Sequence, residues 1–149
     1  MRWFRLQFLL LSLIVAVLAQ LLSGCSDKSS DPGTTKLVGP TWRLTAIVNI
    51  KGVRTPATLE FFSTQFSASG KLSGTASCNS YSASYTLGES GELGIDSLAT
   101  TLVYCGDGSL MDQYYAGLRA AHSYKISDSE LTIYFAQQGE LVFAPLGPD

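Results

Sequence analysis

Three cysteines, one histidine and seven tyrosines are the residues of this 149-residue chain with the most chemistry to offer. A cysteine is a nucleophile, a metal ligand or half of a disulfide. A bond between Cys78 and Cys105 would enclose 26 residues, and loop-closure entropy puts its contribution at about 3–4 kcal/mol. Two separate buried thiols are the alternative. A redox or metal role lacks both a Cys-x-x-Cys pair and enough ligands. His122 is the sole histidine, so Ser-His-Asp catalysis would have to run through it, and no Gly-x-Ser-x-Gly elbow appears. The acidic residues, such as Glu89, Glu92, Asp107 and Asp128, are scattered through expected loops as solvated charge. No spacing singles out a carboxylate pair for acid–base work, and no glycine-rich phosphate loop is present. The expectation is a protein that is not an enzyme and holds no metal or cofactor.

The remaining polar groups suit contact rather than catalysis. Asn79 and Ser80 follow Cys78 in an expected turn, where Asn commonly bonds its own backbone; a ligand contact is the other reading. Tyr81, Tyr85, Tyr104, Tyr114, Tyr115, Tyr124 and Tyr134 are many for so small a domain. Core and rim packing is their default role, with a ligand-lined cavity or a protein-binding patch as the alternative. On that alternative, Asn79, Tyr81, Tyr85 and Tyr104 are the candidate contacts.

Cys25 belongs to a different setting. Arg2 and Arg5 precede an apolar run from Phe8 to Leu22. Fifteen helical residues reach about 22 Å, short of a hydrocarbon core of about 30 Å, so the pattern fits a cleaved signal better than a membrane span. Leu22-Ser23-Gly24-Cys25 resembles the bacterial lipobox. The resemblance implies cleavage after residue 24, a diacylglyceryl group on the Cys25 sulfur and acylation, as with palmitate, of its new amino group. Several lipid chains give lasting attachment where one does not. Ser26 rather than Asp after the cysteine resembles enterobacterial sorting to the outer membrane, facing the periplasm, over the inner membrane. Setting Cys25 aside resolves the odd cysteine count and leaves Cys78 and Cys105 in a compartment that permits disulfides.

Removing residues 1–24 leaves 125 residues, enough for one domain with one core. The signal holds two of the ten basic residues and none of the twelve acidic ones, so the rest carries a net charge of −4. Such a domain, without a basic run, is a poor partner for nucleic acid. Residues 26–36 are polar and rich in turn formers, so 25–38 is expected to be a lipidated tether and 39–146 the folded domain.

The elements that must position these groups are mostly strands. Trp42, Leu44, Ala46, Val48 and Ile50 alternate with polar residues, and Leu59 and Phe61 continue the style after Pro56. Ser69-Gly70 reads as a hairpin turn. Leu72, Gly74, Ala76 and Cys78 share one face, as do Tyr81, Ala83, Tyr85 and Leu87. A loop at 88–91 precedes strands near 92–95 and 99–104. Ser109 to Asp112 opens a capping-box-like pattern, and Leu110, Tyr114 and Leu118 repeat every four residues, which predicts one amphipathic helix near 109–121. His122, just past it, would complement the helix dipole. Leu131, Ile133 and Phe135, then Leu141 and Phe143, mark two closing strands. The fold class is mainly β (α+β): a small curled antiparallel sheet or barrel-like domain with one helix.

Three segments in this order carry a family likeness. They are Trp42-Arg43-Leu44, Ser77-Cys78-Asn79-Ser80-Tyr81 and Thr100-Thr101-Leu102-Val103-Tyr104-Cys105, followed by the helix and the closing pair. Together they resemble the META domain, the family of heat-shock-inducible HslJ-like lipoproteins, over roughly 39–145. Ser77 stands where the family usually has Gly, and Leu102 and Val103 replace a frequent Arg and the usual Met. The resemblance implies a small, mostly β envelope domain without catalytic chemistry. The functional expectation is a monomeric, membrane-anchored accessory or stress-related module that contacts other envelope proteins. Binding of a small hydrophobic ligand or lipid within the curled sheet is the alternative.

Overall fold

The computed structural model describes residues 36–106, 109–127 and 129–147. The expected signal, Cys25 and nearly all of the tether lie outside the described residues. Alternation of buried Trp42, Leu44 and Ala46 with exposed Arg43 and Thr45 builds β1 (Thr41–Val48). The short β2 (Arg54–Pro56) folds back on its end. A meander follows: β3 (Ser63–Phe66), β4 (Lys71–Ala76), β5 (Asn79–Leu87) and β6 (Leu93–Thr100). The helix α1 (Met111–Arg119) then leads into β7 (Ala121–Ser127), β8 (Glu130–Phe135) and β9 (Gly139–Pro145).

The strand ladders are antiparallel, in the order β6-β5-β4-β3-β1-β9-β8-β7, with β2 beside β1. The sheet curls until its edge strands β6 and β7 meet at one isolated bridge, Glu92 to Ser123. Among the described residues this is the mainly β, curled sheet with one α-helix that the alternation pattern implies. First and last strands pair, so the two ends of the domain lie together, and the Leu146 N–H donates to the Thr41 carbonyl at 2.7 Å.

The hollow of the sheet is filled. Phe62, Phe66, Leu72, Leu131, Ile133, Leu141 and Phe143 are fully buried, each stabilising the fold by about 1.5–3 kcal/mol relative to exposure. α1 supplies Tyr114 and Leu118 to this core, the two positions its four-residue period selects. Gly117 lets the helix sit close on β9: a Cβ there would come within 3.0 Å of the Leu141 side chain.

Four local expectations shift. Leu59 and Phe61 are exposed in a loop; the buried face belongs to Phe62, Thr64 and Phe66, one residue out of phase. The strand expected over 99–104 ends at Thr100: after one more backbone bond, from the Thr101 N–H to Ser80, the Asn79 side chain rather than a neighbouring strand takes the backbone groups of Val103. The helix is shorter than 109–121, since β8 draws the chain from Ala121 onward into an extra strand. His122 therefore lies within β7 instead of capping α1, whose C-cap is Ala120.

Candidate functional site

The turn between β4 and β5 carries Cys78, and a disulfide joins it to Cys105 with a Cα–Cα distance of 5.6 Å. Ser77 before it adopts φ 56°, a left-handed conformation suited to a tight reversal. Asn79, at 1% exposure, is the organiser. Its Nδ2 donates to the Val103 carbonyl, and its Oδ1 accepts from the Val103 N–H and the Thr101 hydroxyl, each at 2.8 Å. The carboxamide thus pairs with both backbone groups of Val103 as a neighbouring strand would. Thr101 adds an N–H bond to the Ser80 carbonyl at 3.0 Å and accepts from the Ser80 N–H at 3.1 Å.

Residues 101–105 are thereby pinned outside any strand, and they point apolar groups at water. Leu102 is 93% exposed, Tyr104 77% and Val103 55%. A second loop reaches the same cysteine turn from its other side: the Phe61 carbonyl accepts from the Ser77 N–H at 2.9 Å, and the Glu60 carboxylate accepts from the Leu110 N–H at 2.9 Å and from the Ser109 hydroxyl. Burial pushes the Glu60 carboxyl up, but hydrogen bonds from Ser109, Leu110 and Ser77 outweigh it and hold the pKa below its ordinary value. Glu60 also places negative charge at the start of α1, where the helix dipole favours it. Beside it, Leu59 is 98% exposed. The two loops form an apolar rim at the end of the meander opposite the β3–β4 turn.

The other candidate contacts do not gather there. Tyr81 and Tyr85 are buried in the core. The Tyr85 hydroxyl donates to the Ser67 carbonyl at 2.7 Å, and its ring meets Phe66 edge-on at 5.0 Å; burial, then the nearby Tyr124, raises its pKa. The Tyr81 and Tyr114 hydroxyls lie 2.8 Å apart, and both reach the Ser63 carbonyl, at 3.0 and 3.3 Å. They fill a gap in the β3–β4 ladder, which pairs at Gln65–Ser73 and resumes only at Phe62–Ala76. Gly74 makes this possible, because a Cβ there would collide with the Ser63 carbonyl and crowd the Tyr81 hydroxyl. Burial pushes the Tyr81 phenol up to about 12 and Tyr114 well above its usual value. Thr64 Oγ1, buried beside them, has no well-formed hydrogen bond of its own, yet faces both phenols closely enough to oppose those shifts. Of Asn79, Tyr81, Tyr85 and Tyr104, only Tyr104 presents itself to solvent.

His122 lines an open cleft of about 580 Å³ at the β6–β7 seam, with Glu92, Ser123 and Thr86 among its walls. A bulge between Ala121 and Ser123 places His122 out of the ladder, and its Nδ1 lies 3.1 Å from the Ser123 hydroxyl. A shallower cleft of about 340 Å³ lies along Ser80, Ser82, Thr100 and Thr101. Among the described residues no three His, Cys, Asp or Glu side chains gather to hold a metal ion, and no helix is long and apolar enough to cross a membrane.

Glu60, Leu59 and Leu102 are the rim residues that sequence reasoning missed as a group. Leu59 alternates with Phe61 and Leu102 falls in an expected strand, so the local pattern read both as strand residues and gave no signal for a rim.

The combination of a curled antiparallel meander, a helix plugging it, and a cysteine turn joined to a Thr-Thr loop defines a class of small β domains. The family model for the META domain matches residues 35–147, and the chain belongs to that family. Among solved structures, the chain is similar to a protein from Burkholderia xenovorans determined by NMR, with TM-score 0.64 and 20% identity, covering 85% of this chain and 97% of that one. A second NMR structure matches with TM-score 0.56 and 21% identity over 74% and 92% of the two chains. A crystal structure of a DUF4847 family protein from Bacteroides vulgatus matches with TM-score 0.55 and 13% identity over 76% and 96%. At these identities the likeness is one of fold. No curated protein matches the chain.

Proposed function

We propose that this META domain is a noncatalytic, lipid-anchored accessory module of the bacterial envelope, held on the outer membrane through Cys25 and acting by surface contact with other envelope proteins. The observation that carries this reading is the filled interior. Phe62, Phe66, Tyr114 and Phe143 occupy the hollow where a ligand would sit, and the two open clefts lie on the outside of the sheet, walled by exposed residues such as Thr86, Ser82 and His122. Small-molecule sites bury most of their ligand in a concavity; both clefts lie open to solvent instead. The groups with the most chemistry to offer are spent on structure: the cysteines on each other, Asn79 on Val103, and the buried phenols on carbonyls. A stress-related role follows from the family likeness.

Two measurements test the reading. Cys25→Ala is expected to move the protein from the membrane to the soluble fraction; full retention in the membrane would refute the anchor. Crosslinking in whole envelopes is expected to yield a reproducible protein adduct, and its absence would count against an interaction module. Titrating the pure protein with a panel of lipids and apolar small molecules separates the rival: saturable one-to-one uptake into the domain would favour ligand binding.

A further inference from the structure

We infer that the rim formed by Leu59, Leu102, Val103 and Tyr104 is the domain's foot on a lipid bilayer; the inference rests on the lipid anchor proposed above. Leu59 and Leu102 are almost wholly solvated, with Tyr104 three-quarters so. They sit on loops, and neither cleft described above is lined by them. A fluid acyl layer takes up such side chains without needing a shaped pocket. A tyrosine beside them suits the headgroup level, where an apolar ring and a polar hydroxyl are both accommodated. No charged residue occurs between Asp96 and Asp107, so that stretch of loop carries no charge into the interface. The Thr58 and Ser80 side chains lie in or beside the two loops and are exposed, placing hydroxyls within reach of headgroups. Arg43, with its guanidinium 5.6 Å over the Phe61 ring, supplies one cation next to the Leu59 loop.

The tether length permits this contact. The chain joins the sheet beside Phe66, where Val38 bridges it and the Gly39 N–H donates to its carbonyl at 3.2 Å. From Leu72, paired with Phe66, β4 runs to the Cys78 turn in six residues, about 20 Å. Residues 26–36 span up to about 36–40 Å when extended. A chain fixed at Cys25 therefore reaches back past the sheet with length to spare, and the rim can rest on the same bilayer that holds the anchor. A second, weak apolar contact becomes effective because the anchor already confines the domain near the surface. The rest of the sheet would then face the periplasm in a defined orientation, open to protein partners.

The test uses the mature lipidated protein, purified from bacterial membranes and reconstituted into vesicles of phosphatidylethanolamine and phosphatidylglycerol with brominated acyl chains. Leu102→Trp places a quenchable reporter on the rim, where its exposure makes misfolding no concern. Ser69→Trp places one in the exposed β3–β4 turn at the opposite end. Buried Trp42 in the unsubstituted protein gives the background. Flotation with the vesicles, with the rim reporter quenched and the turn reporter not, supports the inference. Flotation with neither quenched overturns it and leaves the rim to a protein partner, while the anchor stands. Equal quenching of both also overturns it, since the domain would then have no preferred face. Failure to float overturns the anchor and this inference together.

Discussion

Two regions of the molecule use the same device to opposite ends. At the Ser63–Gly74 gap, the phenols of Tyr81 and Tyr114 take a carbonyl that the ladder has abandoned. At the Val103 loop, the carboxamide of Asn79 takes both backbone groups of a segment with no strand beside it. In the first, polar atoms are satisfied so that aromatic rings can be buried. In the second, they are satisfied so that aliphatic side chains can be held in water. Buried polar groups need partners in either setting; what differs is the direction in which the fixed backbone points its neighbours. The first arrangement needs no explanation beyond stability. The second places apolar surface where it gains nothing from folding, which is the surface the proposed bilayer contact would use.

The largest test of this contrast concerns the staple. Changing Cys78 and Cys105 together to Ser is expected to lower unfolding free energy by about 3–4 kcal/mol through the unfolded chain. Denaturant melts measure it, and a loss below about 1 kcal/mol would show that the staple adds little to the domain. Asn79→Ala comes next, at about 2 kcal/mol, because it removes a buried carboxamide and strips Val103 of two partners in a partly buried site. Amide exchange at Val103 should rise sharply in that variant while Tyr81 amide protection persists. Should both regions loosen together, the two devices are one cooperative unit. Tyr81→Phe is milder, about 1 kcal/mol, since the Tyr114 hydroxyl still reaches Ser63.

Tyr81 also sets a pH signature. Its folded pKa of about 12 lies above the usual 10, so its contribution is fully present below pH 10 and drains away as pH rises toward 12. Tyr81→Phe should reduce that alkaline loss in melts across this range, with Tyr114, also shifted upward, keeping part of it. Glu60 works in the other direction. Its depressed pKa gives stability that is present above the ordinary value of 4.5 and is lost as pH falls below it. Being partly solvated, it should contribute under about 1 kcal/mol, read as a smaller acid dependence in Glu60→Gln. The smallest effect is assigned to Leu102→Ser, within about 0.5 kcal/mol of the parent in thermal stability. A large loss there would mean that Leu102 packs against something in solution and is not held out for contact.

Much of the fold was readable from alternation. Trp42 to Ala46, Tyr81 to Tyr85, Leu131 to Ile133 and Leu141 to Phe143 face inward as their period of two requires, and the helix faces in with Tyr114 and Leu118. The misreadings have a shared cause. Leu59 and Phe61 alternate as strand residues do, yet Phe62 is the one inside, because burial is decided by register with β1 and not by local pattern. The β7 segment, Ala-His-Ser-Tyr-Lys-Ile-Ser, carries too little hydrophobic contrast to announce a strand; pairing with β8 makes it one. Cys78 and Cys105 were legible as a pair. The rim was not, because it depends on Asn79 and Glu60 reaching residues more than twenty positions away.

The central place of β1 has a mechanical consequence. The chain from the proposed anchor enters the sheet at β1, which is flanked by β3 and β9 rather than lying at an edge. Tension from that anchor would therefore load two ladders at once. Just upstream, the Trp42 indole N–H grips the Leu37 carbonyl at 3.1 Å, and Leu37 is itself fully buried. Force from the proposed anchor would meet the middle of the sheet, where many bonds must give together. A domain hung from an edge strand would instead unzip one bond at a time.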